Sequence, residues 1–322
     1  MRWKAGLVAA LQLLATAGIF AQVVELTPTA SRHAVQGLER KVLLRADANL
    51  VLVPVHVTNR GGTAVNGLGQ SAFTVLEDKV SQPIVSFGNE DVPCSIGIIF
   101  DLSGSMTNQL PAAGTALRSF LEAANPEDEA FLLTVSTRPQ NISPFTANFS
   151  ALQNSLLGAK AGGATALIDT LYLGIRQMRG ATHPCRALLV VSDGMDNHSR
   201  YSERELMQLV EEADVQIYTI GIDGLSGFKK PIELTEAQAG LAFLRTLADR
   251  SGGLNRRIRT FGEAPAAAEA ISRVIREQYL IGYSPADRDG PAKWHSIQVK
   301  VSIPQMQVSS RRGYYSRVNT IE

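Results

Sequence analysis

The chain has 322 residues, 45% of them hydrophobic and 6% aromatic, and its 31 Lys plus Arg against 30 Asp plus Glu leave a formal charge of +1. Single cores stop growing near ~250–300 residues, so two domains are expected. No basic stretch is long enough to track a phosphate backbone, and the densest cluster, Arg256, Arg257 and Arg259, reads as a solvated loop, so nucleic acid is excluded as a partner.

At the start, Arg2 and Lys4 precede an uncharged run from Ala5 to Val24 rich in Leu and Ala, with small residues around Ala15, Ala17 and Ala21. That layout predicts a secretory signal peptide over residues 1–21, cleaved near Gln22. The rival, a retained anchor, needs about 20 apolar residues; Gln12, Gly18 and Gln22 dilute this run. The expected mature chain is exported, to the periplasm, cell surface or medium, with no membrane span. Two cysteines, Cys94 and Cys185, in an exported chain favour one disulfide, and they lie too far apart for a zinc knuckle.

Residues 22–40 are weakly patterned and read as a lead-in. Leu50 to Val57 is a β-branched run ended by Asn59-Arg60-Gly61-Gly62; Phe73-Thr74-Val75-Leu76 and Ile84-Val85-Ser86-Phe87 follow, separated by a polar Glu77-Asp78-Lys79 turn. Such a fragment needs another surface to cover its apolar face. From Cys94 the pattern changes to strand and helix in alternation. Strands are predicted at 95–100, 130–135, 187–191 and 215–220, with helices at about 109–124, 152–157, 166–178 and 202–213. Apolar strands each followed by an amphipathic helix indicate a doubly wound α/β domain with a mostly parallel sheet covered on both faces. Residues 222–238 read as an inserted surface loop. A helix near 241–248, a short strand near 254–258 and a helix from Pro265 to about Gln278 complete the domain. Past Tyr279 the pattern is β again, with strands at 279–283, 295–301 and 308–310. The expected organisation is a lead-in with β strands over 22–91, the α/β domain over 92–278, and C-terminal strands over 279–322 that pair with the N-terminal ones into one flanking module.

One constellation carries chemistry. The strand ending at Phe100 runs into Asp101-Leu102-Ser103-Gly104-Ser105, which sets a carboxylate and two hydroxyls at the C-terminal end of a strand, the edge where open α/β sheets bind ligands. Gly162-Gly163-Ala164-Thr165 ends in a hydroxyl before a helix, and Val190-Val191-Ser192-Asp193 ends another strand in a carboxylate. All are hard oxygens of the kind that suit Mg²⁺, or Mn²⁺ in its place. Taken singly, Ser103 or Thr165 is equally well read as a helix cap.

In this arrangement the chain resembles the von Willebrand factor A family and its metal-ion-dependent adhesion site. The resemblance covers residues 94–275. It implies that Asp101, Ser103, Ser105, Thr165 and Asp193 hold the ion, the hydroxyls directly and the carboxylates mostly through water or long contacts, leaving an open position for a ligand. It also implies that the strands beginning near Cys94 and Cys185 are neighbours. The cysteines precede Asp101 and Asp193 by seven and eight residues, so both fall at the opposite sheet edge and can be bridged there. The flanks, through Phe73-Thr74-Val75-Leu76-Glu77-Asp78 and Tyr279-Leu280-Ile281-Gly282-Tyr283, are similar to a bacterial subgroup of secreted A-domain proteins known chiefly from acidobacteria.

The expected function is non-catalytic binding of a protein ligand that offers an acidic side chain to the ion. The alternatives are a metal-dependent hydrolase and a purely structural ion. Asp169 and Asp196-Asn197-His198 read as ordinary loop and helix polarity or as hydrogen-bonding support for the ligands. Asp287-Arg288-Asp289-Gly290 reads as a turn, lacking the downstream Glu of a Ca²⁺ loop. Ser226-Gly227-Phe228-Lys229 lacks the partner motifs of penicillin-binding enzymes.

Overall fold

The apolar runs of the sequence become the strands of three sheets. The computed structural model describes residues 50–61, 63–89, 91–104, 110–223, 231–285 and 293–316. The expected signal peptide, the lead-in, Ser105, the Ser226 to Lys229 stretch and the Asp287 to Gly290 turn lie outside these residues.

The first strands are β1 (Val51–Thr58), β2 (Phe73–Glu77), β3 (Val80–Gln82) and β4 (Ile84–Gly88). The α/β part then runs β5 (Cys94–Asp101), α1 (Leu110–Glu122), β6 (Glu129–Val135), β7 (Gln140–Thr146), α2 (Phe149–Leu157), α3 (Leu167–Gln177) and β8 (Cys185–Ser192). It continues through α4 (Glu203–Glu212), β9 (Gln216–Ile222), α5 (Pro231–Ser251), β10 (Asn255–Ile258) and α6 (Ala264–Arg276). The chain ends in β11 (Tyr279–Tyr283), β12 (Trp294–Val301), β13 (Gln307–Ser310) and β14 (Gly313–Tyr315).

The central sheet has the order β10-β9-β8-β5-β6-β7. Its strands are parallel except β7, which pairs antiparallel with β6. Period-two alternation assigns its faces. Ile96, Ile98 and Phe100 of β5 pack with Leu117 and Phe120 of α1, Leu152 of α2 and Ile271 of α6, while Ile99, Phe131 and Val190 pack with Leu171 of α3, Leu206 of α4 and Leu244 of α5. Local sequence sets the helix ends. Ser202 accepts from the Glu205 N–H while the Glu205 carboxylate accepts from the Ser202 N–H, a capping box that starts α4. Pro265 stands in the first turn of α6, where its missing N–H costs nothing.

Cys94 and Cys185 are register partners on the adjacent strands β5 and β8 and form a disulfide with Cα atoms 4.5 Å apart. The bridge lies at the strand starts, across the sheet from Asp101 and Asp193, in agreement with the sequence reading.

Both ends of the chain build the flanking module together. One antiparallel sheet has the order β13-β1-β11-β4 and the other β14-β12-β2-β3, so each interleaves N- and C-terminal strands. Val53, Val55 and Ile281 of the first sheet share a core with Phe73, Val75, Ile297 and Val299 of the second. Neither half has the partners to cover its apolar face alone.

The short strands β3 and β14 are additions to the sequence reading, and two longer elements differ from it. The loop expected over 222–238 is helical from Pro231, where proline opens α5 because an N1 residue needs no N–H partner. Gln140–Thr146 forms a strand that polar residues and Pro144 conceal; an edge strand tolerates a missing donor.

The module meets the α/β domain through buried polar groups. His56 of β1 pairs with the Tyr218 hydroxyl of β9 at 2.7 Å, and the Tyr218 hydroxyl donates to Gln216 Oε1 at 3.2 Å. Burial pushes His56 from its ordinary value of 6.5 down to about 4. The unfolded chain takes up this proton below about pH 6.5 but the folded chain only near pH 4, so the stability His56 confers is complete above that range and is lost as pH falls through it. Urea unfolding of wild type and His56→Gln from pH 7 to pH 4 is expected to show wild type losing roughly 3 kcal/mol more than the variant. Parallel loss in the two would show that His56 is not the titrating group.

Candidate metal centre

Three loops meet at the C-terminal edge of the central sheet. The first follows β5 and carries Asp101 and Ser103, both buried. The second precedes α3 and carries Thr165, also buried, while the third follows β8 and carries the half-buried Asp193. Backbone hydrogen bonds stitch the first loop to the second: Gly104 N–H donates to Gly163 O at 2.9 Å and Gly162 N–H to Leu102 O at 2.7 Å. Gly163 has φ +91°, a conformation that favours glycine, and a Cβ there would sit 2.4 Å from Thr137 Oγ1.

The third loop is tied to both others. Ser192 Oγ donates to Asp101 Oδ2 at 2.7 Å, and Asn197 Oδ1 accepts from the Thr165 N–H at 2.9 Å. The N–H groups of Asn197 and His198 donate to Thr165 O at 3.0 and 3.1 Å. Asp196 Oδ2 accepts from the Ile168 N–H at 2.9 Å, in the first turn of α3. Asp196 and Asn197 therefore hold the Thr165 loop. Ser192 is a positioning residue the sequence reading passed over; its place beside Asp193, one residue from the strand end, was the available signal.

Asp101 Oδ1 accepts from the Ser103 N–H at 3.0 Å. Burial pushes the Asp101 carboxyl above the usual carboxylate range, and the nearby Asp193 charge adds to the rise, against hydrogen bonds from Ser103 and Ser192. Among the described residues, neither Asp101 nor Asp193 is ion-paired with a Lys, Arg or His. The Ser103 hydroxyl lies near the Asp101 carboxylate but makes no hydrogen bond of good geometry with any described group. Among the described residues, two carboxylates without a counter-charge beside a buried hydroxyl oxygen fit a hard cation. The loops that carry Asp101, Ser103, Thr165 and Asp193 thus meet at one sheet edge, whereas Ser105 lies outside the described residues. No group of three or more His, Cys, Asp or Glu that could hold a metal occurs among the described residues.

A model of the von Willebrand factor type A domain matches residues 96–195, the segment that contains Asp101, Ser103, Thr165 and Asp193. No curated protein matches the chain. A von Willebrand factor type A structure from Catenulispora acidiphila is similar at TM-score 0.50 and 12% identity, covering 83% of this chain and 74% of that one. The vWF domain of the type V pili tip protein Mfa5 from Porphyromonas gingivalis gives TM-score 0.46 at 14% identity over 57% of this chain and 95% of that one. The conserved hypothetical protein BatB from Bacteroides thetaiotaomicron gives 0.42 at 18% identity over 56% and 98%. Over residues 96–195 the chain is thus similar to the von Willebrand factor type A family.

Proposed function

We propose that this chain is an exported binding module that takes a protein ligand through a Mg²⁺, or Mn²⁺ in its place, held by Asp101, Ser103, Ser105, Thr165 and Asp193. The observation that carries the reading is that loops bearing two carboxylates without an ion-paired base, and the buried Ser103 hydroxyl, meet at one sheet edge. When bound, the ion supplies an electrophilic position for an anionic oxygen, and an acidic side chain of the partner is the natural donor. Within the chain, Ser192 and the Ser103 N–H orient Asp101, while Asn197 and His198 fix the backbone of Thr165. Export is supported by the leader pattern of residues 1–21 and by the disulfide. No helix among the described residues is long and apolar enough to cross a membrane.

The test is retention of partners from an extracytoplasmic extract with and without chelator. Asp101→Ala should lose metal and partner together. Thr165→Ala should weaken the partner by about tenfold while moving Tm by no more than about 2 °C, since an edge hydroxyl adds little to the core. Partner binding that survives both chelation and Asp101→Ala would contradict the proposal. Gross unfolding on chelation would instead assign the ion a structural role.

A further inference from the structure

Beside the Thr165 loop lies a cavity of about 650 Å³ whose wall carries Arg138, Arg176, Arg200, Tyr172, Tyr201 and His198. It shares chain with the candidate metal centre. Thr137, which also lines it, accepts the Ala164 N–H at 3.1 Å, and the His198 N–H donates to Thr165 O at 3.1 Å. Two residues of the lining are therefore hydrogen-bonded to the loop that carries Thr165.

The cavity is cationic. Its one carboxylate among the described residues, Asp169, is already engaged: Oδ1 accepts from the N–H groups of Arg200 and Tyr201 at 2.9 and 3.1 Å, and Oδ2 from Arg200 Nε at 3.2 Å. The Arg200 side chain remains 84% exposed despite that pair. Arg138 and Arg176 form no ion pair among the described residues. Tyr172 and Tyr201, both in the lining, stack with centroids 3.9 Å apart and planes at 7°. Isolated exposed arginines need no explanation. Here three, from the loop after β6, from α3 and from the loop before α4, converge on one concavity, where like charges repel unless an anion neutralises them and where the field is focused.

We propose that this cavity takes a second acidic side chain of the same protein ligand, so that the ligand is a segment with two acidic residues a few positions apart, one on the ion and one among the arginines. The inference rests on the metal-dependent reading above. Arginine suits the task because its fork can bind a carboxylate through two parallel hydrogen bonds.

Two fluorescent peptides test it: a glutamate oligomer, and a glutamine oligomer of equal length with one central glutamate. Their binding to the full chain is measured by polarisation in Mg²⁺ and in EDTA, for wild type and for Arg138→Gln/Arg176→Gln. Both substitutions are at exposed positions, and an unchanged melting curve checks the fold. In Mg²⁺ the preference for the glutamate oligomer is expected to fall about tenfold in the double variant, with the single-glutamate peptide unaffected. Equal preference in both proteins, or failure of wild type to bind the glutamate oligomer, would overturn the cavity. Magnesium-dependent binding that ignores the arginines leaves the metal reading standing alone, whereas arginine-dependent binding indifferent to EDTA supports the cavity and counts against the metal.

Discussion

Replacing Gly194 by alanine is expected to destabilise the folded chain by at least about 3 kcal/mol. Gly194 has φ +81°, and a Cβ there would lie 2.1 Å from the carbonyl oxygen of Gly240 and 2.4 Å from its carbonyl carbon. A side chain in that conformation alone costs roughly 1–2 kcal/mol. The obstructing atoms are backbone of α5 and cannot turn aside as a flexible side chain would. Gly240 mirrors the constraint, since its own Cβ would meet Asp193 O at 2.7 Å. The loop that carries Asp193 thus crosses the helix where only two glycines allow it, and forcing them apart should displace Asp193 and weaken divalent affinity as well as stability. Gly180→Ala, which adds a Cβ with nothing within 4 Å, is the control and should stay within about 0.5 kcal/mol of wild type. Urea midpoints of the two variants check the difference; equal midpoints would show that the crossing is not tight.

The double replacement Cys94→Ala/Cys185→Ala is expected to cost about 4–5 kcal/mol on the chain-entropy account, because the bridge closes a loop across a sequence separation of 91 residues. The cysteines are register partners at the starts of β5 and β8, the strands that end in Asp101 and lead into Asp193. The parallel ladder that follows them, from Ser95 with Arg186 to Phe100 with Val191, holds the far ends in register without the bridge. Stability should therefore fall while metal affinity, measured where the variant is still folded, stays within about threefold of wild type. Urea unfolding with and without reductant measures the first quantity. A midpoint indifferent to reductant would show that the denatured chain gains nothing from the cross-link.

How much of this could be read from the sequence depended on local signal strength. β5, β6, β8 and β9 are buried on both faces, so they stood out as continuous apolar runs, and the carboxylates after β5 and β8 followed from them. Ser202 with Glu205 marked the start of α4 for the same reason: the cap is local. Gln140–Thr146 was missed because an edge strand needs neither two apolar faces nor every donor, and Val80–Gln82 is only three residues long. The start of α5 was hidden behind the Gly and Lys residues that precede it, although Pro231 followed by Glu233 was a usable start signal. At the site, the metal-type residues were legible from their order on strand ends. Ser192, Asn197 and the arginine cavity were not, because they come together only when three loops fold over one sheet edge. The interleaving of both chain ends into two sheets was foreseeable as pairing, but its strand order was not, since no local rule sets the partner of an isolated antiparallel strand.

The central claim is that the sheet edge holds a divalent cation by charge and hydroxyl oxygen together, and the most direct measurement is equilibrium titration of the full chain with Mg²⁺ or Mn²⁺. Asp101→Asn is the decisive comparison, because it keeps the shape of the side chain and an oxygen for the Ser103 N–H, and its amide can donate to the Ser192 hydroxyl, while the charge is removed. The account predicts saturable binding of one ion by wild type and its loss in Asp101→Asn, with the urea midpoint of the ion-free protein little changed; absence of saturable binding by wild type, or undiminished binding by Asp101→Asn, would contradict it.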